Sequence, residues 1–156
     1  HLPGHAHGLV GYWWPERRLL FTGDGIQGLG SQVGSFPLVF ASAADYGASL
    51  ARLIELEPAA LCMGHNFLDR EGRPAAVRRG PAATRFLRES LEIAEHVAEV
   101  VGAAAAAAPD HPFEAIARAA LAVLCETYPL QLDPATGLHL RALFLLQAIW
   151  RELRSP

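Results

Sequence analysis

Phe21-Thr22-Gly23-Asp24-Gly25 ends an apolar run on an acid set between two glycines, and two other stretches repeat that grammar with histidine. They are Pro3-Gly4-His5-Ala6-His7-Gly8 near the start and Cys62-Met63-Gly64-His65-Asn66 further on. Glycine lets the backbone turn sharply or pass close to an ion where a side chain would block it. Imidazole nitrogen and carboxylate oxygen are ligands suited to zinc and its transition-metal neighbours. The three stretches therefore read as one part of a metal centre, with His5, Asp24 and His65 as its candidate ligands and His7 left between a supporting role and solvent.

Working outward, Leu9 to Trp14 and Leu19 to Thr22 are short apolar runs joined by the turn Pro15-Glu16-Arg17-Arg18, a pattern that predicts a β-hairpin. An antiparallel pair returns to its starting end, so His5 and Asp24 are expected at one edge of a sheet. Ile26 to Phe40 has no clean period and reads as a loop over the site. Asp45 to Leu56 places Tyr46, Leu50, Leu53 and Ile54 on one helical face, and Ala59 to Met63 then reads as a buried strand presenting His65.

Beyond this point breakers dominate, and Asn66 to Gly80 reads as a polar link. Three helices are expected after it. The first covers Thr84 to Val101, with the alanine run to Ala108 as an extension. The second, capped at Asp110 or His111, runs to Tyr128 and buries Phe113, Ile116, Ala120, Val123 and Leu124. The third covers Leu138 to Leu153, with Leu140, Phe144, Gln147 and Trp150 on neighbouring turns.

The chain has 156 residues, 51% of them hydrophobic and 19% charged, a composition of globular proteins. Its net charge of −3 argues against nucleic acid or a membrane surface as partner. All 13 basic residues are arginine, which with the abundant alanine fits codon bias. Cys62 and Cys125 are too few for a disulfide framework and read as small buried apolar residues. No stretch has the pattern of a signal peptide or a membrane span, so a cytoplasmic location is expected. A first residue that is histidine, not methionine, leads us to expect a start inside a larger gene product. No serine sits in a nucleophile-elbow sequence, so a Ser-His-Asp triad is not supported.

Taken together, Pro3-Gly4-His5, Gly23-Asp24 after a strand and Gly64-His65 after a helix and strand resemble the C-terminal half of the metallo-β-lactamase fold, in its glyoxalase II-like flavour. The resemblance implies an α/β fold: residues 1–80 as the C-terminal half of an αββα sandwich, and residues 81–156 as a small all-helical extension. It implies that His5 binds one metal, that Asp24 bridges two metals and is the catalytic ligand, and that His65 binds the second. Zinc is the expected metal, two ions in the complete site, with iron or manganese as alternatives. The implied activity is hydrolysis of an ester, thioester, lactone or related small-molecule substrate by a metal-activated water. The family's His-x-His-x-Asp-His signature, which supplies the remaining ligands, does not occur here. The resemblance thus calls for an N-terminal half in cis or in trans, without which one sheet would lack its facing sheet. The rival reading is a non-catalytic binding or scaffold module, a half-fold with residual ligands. The helices are expected to frame a substrate pocket, form a lid or make a homo-oligomer contact.

Overall fold

A computed structural model of the chain describes residues 1–31, 36–133 and 135–155. The expected loop over the site therefore falls partly outside the described residues. Among those described, four strands and four α-helices form a mixed α/β fold. The strands are β1 (Tyr12–Trp14), β2 (Leu19–Gly23), β3 (Ala60–Leu68) and β4 (Pro74–Arg79), lying in that order across one sheet. The outer pairs are antiparallel, whereas β2 and β3 run parallel. A parallel pair needs a crossover, and helix α1 (Ala43–Glu55) supplies it.

The register sorts the side chains into two rows. Trp13, Leu20, Leu61 and Arg78 are cross-strand partners facing the core. The next row, Tyr12, Phe21, Cys62 and Val77, points the other way, and three of its members are exposed by 71%, 40% and 44% for Tyr12, Phe21 and Val77. Apolar groups on both faces are the pattern of a sheet buried on both sides, and here only the inner face is covered.

Helices α2 (Pro81–Ala107), α3 (Phe113–Thr127) and α4 (Ala142–Leu153) pack with α1 over that inner face. A continuous apolar cluster runs from Leu2 and Leu20 through Leu50, Phe86 and Leu87 to Leu121, Leu145 and Ile149.

Several expectations need correction. The polar link after His65 is strand: β3 continues to Leu68, and β4 returns beside it. His65 consequently sits within β3, where the pairing with β4 breaks between Cys62 and Phe67. Helix α3 has Pro112 at its N-cap position, with no side chain capping it, and Val123 is 48% exposed. Helix α4 begins at Ala142, because the His139 ring accepts the Ala142 N–H at 3.0 Å and stops the helix there. Its buried face is Ala142, Leu145, Leu146 and Ile149, leaving Leu140 and Phe144 exposed. A run apolar all round does not reveal its inward face by period.

Candidate metal centre

The three candidate ligands come from the same end of the sheet. His5 lies in the loop before β1, Asp24 follows the last residue of β2, and His65 sits at the irregular part of β3. His65 Nδ1 and Asp24 Oδ1 are 2.7 Å apart. An ionised carboxylate only accepts, so Nδ1 carries the proton, which leaves the Nε2 lone pair and the second carboxylate oxygen for a cation. The pair is open to solvent, with side-chain exposures of 61% for His65 and 34% for Asp24.

Gly64 makes this approach feasible. A Cβ at that position would lie 2.4 Å from Asp24 Oδ1 and 3.2 Å from the Gly23 carbonyl carbon. The glycine beside His65 therefore clears space for the acid to reach the histidine.

His5 is reached differently. Its loop is clamped by Leu2 N–H donating to Leu9 O at 2.9 Å, and Gly4 lies against α1, where a Cβ would meet Tyr46 Cα at 2.7 Å. The positive φ of Gly4, 132°, also favours glycine. His5 Nδ1 lies 2.6 Å from Leu38 O, a carbonyl that can only accept, so Nδ1 is protonated and Nε2 keeps its lone pair. Phe40 stands 5.2 Å from the His5 ring and Phe144 of α4 stands 4.7 Å from Phe40, so the helical part reaches the site through two aromatic contacts.

Asp24 and His65 thus meet directly, whereas His5 is linked to Asp24 through Gln27, whose side-chain amide shares the Leu38 carbonyl with His5 Nδ1 and donates to Asp24 O at 2.9 Å. Sequence reasoning passed over Gln27 because it stands in the aperiodic stretch after Asp24. Its signal was a lone amide side chain amid glycine and apolar residues. His7 is exposed, and only its backbone carbonyl is engaged, by the His1 ring. His96 bonds the Tyr128 hydroxyl and His139 caps α4, both outside the site. The tautomers leave the Nε2 lone pairs of His5 and His65 available, and Gly64 clears space for the Asp24 carboxylate beside His65. Among the described residues, however, no three His, Cys, Asp or Glu side chains gather into a ready metal-holding group.

Residues 1–65 match the family model of the metallo-beta-lactamase superfamily, and the mixed α/β fold agrees with part of that superfamily's fold. A particular relative is the hydroxyacylglutathione hydrolase of Fuscovulum blasticum, 32% identical over 98 residues that cover 56% of this chain and 37% of that protein. The chain thus spans well under half the length of the curated relative it matches. Among the described residues, no helix is long and apolar enough to cross a membrane.

Proposed function

We propose that this chain is the C-terminal part of a metal-dependent hydrolase acting on a small ester, thioester, lactone or related substrate, and that His5, Asp24 and His65 hold the metal. The observation that carries the reading is the Asp24–His65 pair seated against Gly64, its spare oxygen and nitrogen left open at the sheet end. Two bound zinc ions, or iron or manganese in their place, would supply a water of lowered pKa and polarisation of the scissile carbonyl. The chain's own residues do the rest. His5 presents Nε2 because Leu38 O holds its other nitrogen. Asp24 contributes negative charge where cations would otherwise repel each other, and His65 presents Nε2 beside it.

The remaining ligands come from an N-terminal half in cis or in trans. Supporting this, the outward row Tyr12, Phe21, Cys62 and Val77 is an apolar face that no described element of the chain covers, of the kind a second sheet covers. A homo-oligomer using the same face would be seen as a concentration-dependent mass. The relative's name makes a hydroxyacylglutathione thioester the first substrate to try.

The test uses the protein that contains this chain together with the half that completes the site. Metal analysis should find about two ions per site, and Asp24→Ala should abolish hydrolysis with the fold retained. Unchanged hydrolysis in Asp24→Ala would end the enzyme reading. The rival, a non-catalytic scaffold, rests on the absence of a three-ligand group among the described residues, and it predicts no stoichiometric metal even in the complete protein.

A further inference from the structure

We infer that Gln27 is a positioning residue for this centre, one amide that sets both the tautomer of His5 and the backbone carrying Asp24; the inference rests on the metal-centre reading above. Gln27 is 2% exposed, yet its side chain is fully engaged. Its Oε1 accepts from Leu38 N–H at 3.0 Å, and its Nε2 lies 3.4 Å from Leu38 O. The side chain therefore pairs with both backbone groups of one residue, as a neighbouring strand would. Leu38 O is the acceptor that fixes the proton of His5 on Nδ1. The same Nε2 donates to Asp24 O at 2.9 Å.

Only one orientation of the amide satisfies these partners. Leu38 N–H requires an acceptor and Asp24 O requires a donor, so oxygen faces the first and nitrogen the second. The 3.0 Å approach of Nε2 to His5 Nδ1 is then a contact between two donors that share the Leu38 carbonyl. Gln27 is itself anchored, since its backbone N–H donates to the buried Tyr46 hydroxyl at 3.2 Å, and Tyr46 is the residue packed under Gly4. Helix α1, the Gly4-His5 loop and the segment after Asp24 are thereby joined at one buried side chain. A histidine ligand commonly depends on the partner of its other ring nitrogen, and losing such a partner costs about 10- to 100-fold in metal affinity. Gln27 acts one step further out, by holding that partner.

The test reads the His5 ring itself. The chain is labelled with nitrogen-15 histidine and held at roughly pH 8, above the usual imidazole range. Long-range proton–nitrogen NMR of wild type should show one neutral tautomer, protonated on Nδ1. Gln27→Leu should replace it with a tautomer mixture, while circular dichroism and the His139 signal stay unchanged. Zinc affinity should fall by about 10- to 100-fold. Gln27→Glu keeps an acceptor for Leu38 N–H but loses the donor to Asp24 O, so the Leu38 amide should hold its place and the Gly25 amide should shift.

A Gln27→Leu chain with His5 still wholly protonated on Nδ1 and with unshifted Leu38 and Gly25 amides overturns the inference. Should Gln27→Leu fail to fold, Gln27→Glu decides, and an unshifted Gly25 amide overturns it. Zinc titration separates the two readings. In the protein that also contains the N-terminal half, a wild type that binds no more zinc than His5→Ala sinks the metal centre, while the tautomer still decides whether Gln27 orients the ring.

Discussion

Asp24 with His65 and Asp69 with Arg78 are both carboxylate pairs built around β3, and they differ in how completely they are satisfied. Asp69 is buried and accepts from Arg73 N–H, Arg73 Nε and Arg78 Nη1 at 2.9, 2.9 and 3.1 Å. Arg78 is buried too; it bonds Phe67 O and Arg73 O, and its guanidinium lies 4.4 Å from the Phe86 ring centroid. Burial alone would push the Asp69 carboxyl up, but the Arg73 hydrogen bonds and the Arg78 charge outweigh it and hold the group below its usual range. The Asp24–His65 pair has a single mutual hydrogen bond, stands in solvent and leaves donor atoms unused. A buried charge must be saturated to be tolerated, whereas an open pair with spare lone pairs is suited to binding something else. One cluster is closed within the fold and the other stands open at the sheet end.

The largest expected effect breaks the closed cluster. Asp69→Ala strands the Arg78 charge in the core and should cost about 3–5 kcal/mol, read from urea unfolding; a loss under about 1 kcal/mol would erase the contrast. The pH dependence follows in sign. Because folding lowers the Asp69 pKa, its contribution is fully present above the unfolded value of 3.8 and is lost as pH falls below it. Stability of wild type should therefore drop on the acid side of about pH 4 more steeply than that of Asp69→Asn. Next comes the open cluster. Gly64→Ala puts a methyl where Asp24 Oδ1 stands, and it should lower zinc affinity by about 10- to 100-fold with little change in melting temperature, measured by titration and calorimetry. Asp24→Ala should cost at most about 1 kcal/mol of stability, because the pair it removes is exposed.

The same contrast explains what could be read in the sequence. His5, Asp24 and His65 stood out because the open site needs glycine beside each ligand, and glycine next to histidine or aspartate is visible in one dimension. Strand β4 was missed because its inward position, Arg78, is a cation, so the alternation that marks a strand is broken where Asp69 and Phe86 accommodate it. Gln27 escaped notice for a related reason. Its partners are the backbone groups of Asp24 and Leu38, and backbone partners leave no trace in side-chain pattern. Helix α1 was legible from its apolar face, and its start was fixed by Ser42, whose hydroxyl accepts the Asp45 N–H at 3.0 Å.

That same helix start is also tied to the far end of the chain. Glu152 of α4 accepts from Ser42 Oγ and Ala43 N–H, both at 2.8 Å, and from Ala44 N–H at 3.2 Å. Its carboxylate serves the free N–H groups and the positive end of α1, so Glu152→Ala should cost about 1 kcal/mol by urea unfolding. During synthesis helix α1 emerges before its clamp, which lies 110 residues downstream. At about 5–20 residues per second, α1 spends roughly 5–20 s without it. The N-terminal end of α1 is thus capped by Glu152 only after those intervening residues have been made.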